Sequence, residues 1–324
     1  MRQTVVSDDE RLLVGPESFD DAGVVRLGVK EGLSADDRIA LVQTVDFFPP
    51  VVDDPALYGE IAAANSLSDV YAMGGKPFSA LGLAGFPKNF PEEWLLEIMR
   101  GGSRKVREAG AVLAGGHTVE SEVQFGYSIT GLIDPAQVRS NAGAKAGDVA
   151  YLTKSLGMGC ITTAGKFKKI LWEEVEPAAR QMATLNDHAA DAMNDAGAHA
   201  CTDITGFGLI GHSLNIARSS NLTFRIDAAS VPLFPGALEL AERGLFSGGR
   251  KRGLETFGGE VEAQGGLDDA RTGIFFDAET SGGLLIVLPE VRAGVLEEAL
   301  RARDLPVQRI GEFVAPASKR IVLF

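Results

Sequence analysis

The sequence contains little cysteine and no long hydrophobic run. Its 2 cysteines, Cys160 and Cys201, lie far apart and outside any CxxC or Cys/His cluster. This disfavours both a disulfide framework and a structural zinc site. No hydrophobic run approaches the roughly 18 residues that a membrane helix needs. The first residues lack the apolar core of a signal peptide. These absences predict a cytoplasmic protein that does not enter a membrane.

Positive charge is also scarce. The chain has 31 Lys and Arg against 44 Asp and Glu, a formal net charge of −13. Such a chain has no general attraction for nucleic acid or for anionic lipid, so neither partner is expected. If the protein binds an anion, it must do so locally, through backbone amides, helix N-termini or metal ions.

Glycine, in contrast, is abundant, with 39 of 324 residues and no collagen-like triplet period. At roughly 100–200 residues per domain, the length predicts two domains. Strand-like and helix-like segments alternate in both halves, which favours an α/β or α+β fold. The turn at Gly143–Gly147 predicts a boundary that divides the chain into residues 1–145 and 146–324. The glycine-rich stretch Gly244–Gly266 is expected to be a long exposed loop.

Several aspartates stand beside glycines or at the ends of predicted strands, namely Asp20, Asp21, Asp46 and Asp203. Taken singly, each has the position of a turn or capping residue. Asp69 is different, because it lies inside a helix predicted from Ala56 to about Met73, where aspartate is unfavourable. Asn65, Ser68 and Asp69 form a polar stripe on this otherwise apolar helix. The stripe is either a solvated face or a set of oxygen ligands for a hard cation such as Mg²⁺.

Two glycine turns offer backbone amides to an anion. Gly115, Gly116 and His117 follow a short strand predicted at Ala111–Ala114, and Thr280–Gly283 precedes an apolar strand. The alternatives are a tight turn at the first site and a hairpin or bulge at the second. Neither a P-loop nor a dinucleotide fingerprint is present. The remaining histidines, His188, His199 and His212, have no ligand spacing and are interpreted as structural. Carboxylates for Mg²⁺ beside such turns suggest nucleotide-dependent phosphoryl chemistry.

Six segments, taken in order and spacing, resemble the selenophosphate synthetases (selenide, water dikinases), which belong to the aminoimidazole ribonucleotide synthetase-like superfamily. The resemblance runs from about Leu12 to the C-terminus. The segments that carry it are Gly15–Val24, Gln43–Phe48, Ala62–Gly75, Ala114–Thr118, Thr202–His212 and Thr280–Leu285.

The resemblance implies a two-domain fold with a mixed sheet and flanking helices in each domain, and a homodimer. It implies that residues 1–145 bind ATP and metal and form the dimer, and that residues 146–324 are an α/β domain. The implied reaction converts ATP, selenide and water to selenophosphate, AMP and phosphate with Mg²⁺. The sequence leaves open whether selenide binds directly or is supplied by a selenide-delivery protein. By resemblance, the metal ligands are Asp21, Asp69 and Asp203, and the ATP-binding residues are Ser18, Phe19, Asp20, Asp46, Asp69, Gly115, Gly116 and His117.

The sequence departs from the family in two places. Family members carry an N-terminal glycine-rich segment with a Cys or selenocysteine and then an essential Lys, whereas the first Lys here is Lys30 and the first Cys is Cys160. The resemblance therefore assigns no catalytic residue, and the chain as given is expected to bind Mg-ATP weakly or not at all and to turn over little. One hypothesis is that a selenocysteine codon was read as a stop, and the other simple cause is truncation; sequencing the upstream DNA tests the first. The second departure is that Gly248–Gly253 lacks the family's Asn.

Two other functions remain open at this stage. One is a non-catalytic nucleotide-binding protein of the same fold, which would bind ATP without releasing AMP. The other is a small-molecule kinase of the thiamine-monophosphate kinase type, whose product would be ADP rather than AMP.

Overall fold

The computed structural model describes residues 9–15, 19–27, 39–264 and 269–324. They form two compact units, one joining the described residues up to 140 with residues 183–187, the other joining 141–182 with 188–324. Each has a mixed sheet with helices, which confirms the predicted α/β (α+β) class. None of the described helices is long and apolar enough to cross a membrane.

The first unit contains one six-stranded sheet and two long helices. The sheet order is β1-β2-β3-β6-β4-β5, and all neighbours are antiparallel except the parallel pair β4–β5. The strands are β1 (Leu12–Val14), β2 (Gly23–Arg26), β3 (Ala40–Phe48), β4 (Lys76–Phe86), β5 (Val112–Glu120) and β6 (Gln124–Ile133), and the helices are α1 (Pro55–Ala72) and α2 (Glu92–Glu108).

Helix α1 is buried along almost its whole length, between the sheet and α2. It begins where the Asp54 carboxylate accepts a hydrogen bond from Leu57 N at 2.8 Å, and Pro55 supplies a favourable first residue. A Cβ at Gly59 would overlap the Ile98 carbonyl oxygen of α2, so the two helices can approach this closely only because glycine stands there. The buried helix brings its polar stripe against the sheet.

The face of this sheet that points away from α1 is apolar and exposed. Alternation along β3 and the strand register place five side chains on it, each 48% to 64% exposed. They are Val45, Phe47, Leu81, Val112 and Val119. The outer strand β5 is exposed along its length.

The second unit contains a seven-stranded sheet of order β10-β13-β9-β12-β7-β11-β8. Strand β11 is buried and pairs antiparallel with β7 and β8, so the ends of these three strands meet at one edge. The strands are β7 (Asp148–Leu152), β8 (Ala200–Asp203), β9 (Thr223–Ile226), β10 (Val261–Ala263), β11 (Leu284–Pro289), β12 (Arg309–Val314) and β13 (Ile321–Leu323). The helices are α3 (Met158–Lys166), α4 (Trp172–Ala183), α5 (Asp187–Ala196), α6 (Gly208–Ser219), α7 (Ala237–Glu242), α8 (Gly248–Phe257), α9 (Ala270–Phe276) and α10 (Ala293–Arg301).

The long exposed loop predicted for Gly244–Gly266 is wrong, because the stretch contains α8 and β10; residues 265 and 266 lie outside the described residues. Helix α8 begins where Ser247 Oγ accepts a hydrogen bond from Gly249 N at 2.9 Å. The Asp277 carboxylate accepts another from Arg250 N at 3.1 Å. Asp277 lies 27 residues after Arg250 in the sequence, so the glycine-rich stretch itself gives no sign that a helix begins there.

Candidate functional site

In the first unit, strand β3 and helix α1 bring two of the predicted site carboxylates into one polar cluster. Asn65 Nδ2 donates a hydrogen bond to Asp46 Oδ2 at 2.8 Å. Thr44 Oγ1 donates to Asp69 Oδ2 at 2.5 Å. Thr44 and Asp46 are two residues apart on β3, and Asn65 and Asp69 are one helical turn apart on α1, so each pair shares a face. The polar stripe predicted on this helix is therefore buried against the sheet.

Burial determines the electrostatics of this cluster. It raises the pKa of Asp46 from its ordinary value to about 6, while the hydrogen bond from Asn65 opposes that rise because it favours the charged form. Asp69 is only 7% exposed. Two of the donors that reach these carboxylates, the Asn65 amide and the Thr44 hydroxyl, are neutral. Carboxylate oxygens accompanied by neutral oxygen groups are the ligand set that suits Mg²⁺, so these residues fit the predicted ion.

The same helix face has a partner that the sequence did not reveal. Asn186 Nδ2 donates a hydrogen bond to Ser68 Oγ at 2.9 Å, and both side chains are buried. Asn186 lies in the segment 183–187, which packs with the first unit although its neighbours in sequence belong to the second. Its only local signal is its position just before α5, which is typical of a helix cap.

Three of the other predicted ATP-binding residues of this unit lie elsewhere on the sheet. Gly115, Gly116 and His117 lie within β5, which corrects the expectation of a turn after a short strand. The strand continues because β4 offers it a parallel partner, with Gly82 opposite Gly116 and Leu83 opposite His117. A Cβ at Gly116 would overlap the Gly82 carbonyl oxygen, so glycine is needed for this pairing.

This register places His117 on the sheet face that points away from α1, opposite to the face of Asp46. Phe19 is exposed and has a positive φ of 59°. Asp20 and Asp21 follow it, and Ala22 separates them from β2. Ser18 lies outside the described residues.

In the second unit, Asp203 is the last residue of β8 and is buried. The loop after it is held by the predicted glycine turn and by the residue before that turn: Ile204 N donates to Gly283 O at 3.0 Å, and Glu279 N donates to Thr205 O at 3.0 Å. His212 of α6 contacts this loop at Thr205, and burial lowers its pKa to about 4, so it is neutral near pH 7. Asp203 therefore lies at the start of a loop whose backbone is fixed by these hydrogen bonds.

Two buried acids of the second unit were not singled out from the sequence. Glu279 accepts hydrogen bonds from Gly157 N and Met158 N, at 2.7 and 3.0 Å, at the start of α3. Burial nevertheless raises its pKa to about 8. Asp277 accepts from Arg250 N and also bonds Ser247 at the start of α8. These helix starts are thus occupied by carboxylates, which argues against a phosphate at Gly248–Gly253.

Comparisons with known proteins match the chain over nearly its whole length. The family model of the AIR synthase related protein, N-terminal domain, matches residues 19–133, and that of the C-terminal domain matches residues 145–323. The selenide, water dikinase of Geobacter metallireducens is 46% identical over 98% of this chain and 90% of its own length. That of Nitratidesulfovibrio vulgaris is 43% identical over 98% of this chain and 89% of its own length.

Solved structures share the fold at lower identity. Thiamine-monophosphate kinase from Stenotrophomonas maltophilia superposes with a TM-score of 0.70 and 21% identity, covering 98% of this chain and 92% of that one. The hydrogenase maturation protein HypE in complex with ATP gives 0.65 and 19%, covering 98% and 87%.

Proposed function

This chain belongs to the selenide, water dikinase family, and from that premise we propose that it uses ATP, selenide and water to form selenophosphate, AMP and phosphate. The observation that carries the proposal is the 46% identity to a selenide, water dikinase over 98% of the chain. A kinase-type enzyme with ATP as its substrate also suits a chain that holds carboxylates in buried, preorganised positions.

Asp21, Asp69 and Asp203 are proposed to hold Mg²⁺, and the ATP-binding residues are proposed to be Phe19, Asp20, Asp46, Asp69, Gly115, Gly116 and His117, with Ser18 outside the described residues. The cluster of Asp46 and Asp69 supports this assignment, because two buried carboxylates repel the phosphates of ATP unless a cation lies between them. Mg²⁺, when bound, neutralises phosphate charge and orients the phosphates.

The residues of the chain supply the positioning. Thr44 and Asn65 hold the two carboxylates by hydrogen bonds, so their oxygens are oriented before the cation arrives. Near neutral pH, Asp46 is ionised, because its raised pKa still lies below 7. Both carboxylates then present negative charge to the ion.

The test of this function is product analysis with selenide as the variable. When the family's N-terminal Cys and Lys segment is joined to the chain, incubation with Mg-ATP and selenide is expected to give AMP and a selenophosphate signal by ³¹P NMR, in proportion to selenide; the chain as given is assayed beside it. The variant Asp69→Asn keeps an oxygen that accepts from Thr44 but removes the charge, and it is expected to lower AMP formation at least about 100-fold. The exposed Glu298→Gln is the matched control. ADP without AMP would indicate a simple kinase, and ATP binding without AMP a non-catalytic protein.

A homodimer is the second part of the proposal, and the exposed apolar sheet face supports it. That face carries Val45, Phe47 and Leu81, and an apolar patch of this kind marks an interaction surface. The adjoining edge strand β5 contains neither Lys nor Pro, the residues that usually protect a free edge from pairing. A second copy of the chain offers the same face and edge, as an isologous interface requires.

The remaining parts of the proposal concern location and organisation. We place the protein in the cytoplasm, with selenide supplied by a delivery protein. We propose the division into an ATP-binding and dimerising domain, residues 1–145, and an α/β domain, residues 146–324. Limited proteolysis followed by mass spectrometry of the fragments tests this boundary.

A further inference from the structure

The imidazole of His212 lies against the loop that follows Asp203, and its contacts define its tautomer. Thr205 N donates a hydrogen bond to His212 Nε2 at 3.2 Å. A backbone N–H can only donate, so Nε2 carries the lone pair and the ring proton of the neutral imidazole is on Nδ1. The Thr205 hydroxyl also lies 3.2 Å from Nε2 and can donate to it.

The other ring nitrogen reaches the residue before Asp203. His212 Nδ1 lies 3.4 Å from Thr202 Oγ1, which accepts the Nδ1 proton in this tautomer. The Thr202 hydroxyl in turn donates to the Asp203 carbonyl oxygen at 3.2 Å. One side chain therefore holds the chain on both sides of Asp203, through Thr202 before it and Thr205 after it.

The location of His212 requires an explanation beyond packing. It lies on α6 among the buried apolar residues Leu209, Ile210 and Leu214, where a histidine costs free energy unless its nitrogens find partners. Nδ1 finds its partner at the end of β8 and Nε2 finds its partner in the loop that follows, rather than within the helix. An apolar residue would fill the space but would leave Thr205 N without its acceptor.

We propose that His212 is a positioning residue that fixes the Asp203 carboxylate for Mg²⁺ without ligating the ion itself. The inference rests on the proposed function, since it takes Asp203 as a metal ligand. The Nε2 lone pair is already engaged by Thr205 N, so the nitrogen that histidines commonly offer to metals is occupied. His212 would act like the residues that orient metal ligands by hydrogen bonds at other metal sites. Loss of such a residue typically lowers metal affinity about 10-fold to 100-fold.

The test compares two substitutions that differ in one acceptor atom. His212→Gln places an amide oxygen near the position of Nε2, so it can accept from Thr205 N, whereas His212→Phe fills the space without an acceptor. Binding of Mn²⁺, used in place of Mg²⁺ and followed by electron paramagnetic resonance, is expected to weaken at least 10-fold in His212→Phe and less than about threefold in His212→Gln. The exposed His188→Gln on α5 is the matched control and is expected to bind as the unmodified chain does.

Nuclear magnetic resonance provides a readout that does not depend on activity. The chain has 4 histidines, so ¹⁵N signals can be assigned by substitution. His212 is expected to show an unprotonated Nε2 whose shift does not change when Mg²⁺ is added. A protonated Nε2, or a shift typical of direct ligation, would overturn the inference.

The variants also separate this inference from the proposed function. Wild-type Mn²⁺ affinity in Asp203→Asn would overturn the assignment of Asp203 as a ligand. If Asp203→Asn loses affinity for Mn²⁺ while His212→Phe keeps it, Asp203 remains a ligand and only the role proposed for His212 is overturned. If His212→Phe does not fold, a loss of affinity in His212→Gln equal to that of Asp203→Asn would overturn it instead.

Discussion

Asp46 shows how one hydrogen bond controls when a buried carboxylate is charged. Its pKa is about 6 because burial outweighs the hydrogen bond from Asn65. Asn65→Leu removes the donor that favours the charged form, so the pKa of Asp46 should rise further, by about one unit for a hydrogen bond to a charged group. We expect the pH midpoint of Mg-ATP binding to move upward by the same amount, measured by calorimetric titration between pH 5 and 8.

The control for this substitution is Gln43→Leu, a change of similar type at an exposed position of the same strand. It should leave the midpoint where it is. A midpoint that does not move in Asn65→Leu would show that ionisation of Asp46 does not limit binding.

Glu279 is expected to make stability depend on pH in the opposite sense to an ordinary surface acid. Its pKa rises on folding to about 8, so between about pH 4.5 and 8 the folded chain holds a proton that the unfolded chain has released. The free energy of unfolding therefore falls as pH rises through this range, by at most about 1.4 kcal/mol per pH unit. Glu279→Gln should flatten this dependence in urea unfolding at pH 5, 6.5 and 8.

The exposed Glu298→Gln serves as the reference and should keep the slope of the unmodified chain. An unchanged slope in Glu279→Gln would mean that Glu279 keeps its ordinary pKa in the folded protein.

The sequence reveals residue types better than it reveals partners. Asp69 could be singled out, because aspartate in an apolar helix needs an explanation, and the structure gives it Thr44. Asn186 could not be found in this way, since its partner Ser68 is 118 residues away. The role of His212 was likewise hidden, because a lone histidine in an apolar helix is usually structural.

At the scale of elements, the approach of α1 and α2 depends on glycine. A Cβ at Gly59 would overlap the Ile98 carbonyl oxygen, and backbone cannot move aside as a flexible side chain can. Gly59→Ala should therefore destabilise the first unit by about 1–3 kcal/mol through overpacking, measured by urea unfolding.

The matched control is Gly294→Ala in α10, where a new Cβ meets nothing within 4 Å. That change should stabilise the chain by about 0.5–1 kcal/mol, because alanine is the better helix former. Equal effects at the two positions would contradict the close packing of α1 on α2.

Elements with clear patterns were predictable, and those that depend on distant contacts were not. The predicted helix from Ala56 to about Met73 corresponds to α1, whose local signals include Pro55 and a terminal Gly74. Helix α8 was missed because its glycine-rich start is stabilised by Asp277. Strand β5 was cut short because Gly115 and Gly116 resemble a turn until β4 is known to lie beside them.

At the scale of the whole molecule, the exposed sheet face predicts how the chain associates. Val45→Lys places a charge in the middle of that face and should raise the dimer dissociation constant at least about 10-fold, because an unpaired charge is costly in a buried interface. Sedimentation equilibrium measures the change. Val291→Lys, which replaces an 88% exposed valine of the second unit, should leave the association unchanged. A dimer of equal strength in both variants would show that another surface is used.

The segment 183–187 has a consequence for the order in which the protein is made. Asn186, which the first unit needs, is translated after the whole of α4, about 45 residues beyond the end of the unit's own contiguous part. Until that asparagine leaves the ribosome, the buried Ser68 hydroxyl on α1 lacks this hydrogen-bond donor. A nascent chain arrested before residue 186 should therefore hold an N-terminal unit that is more sensitive to protease than one arrested well after it.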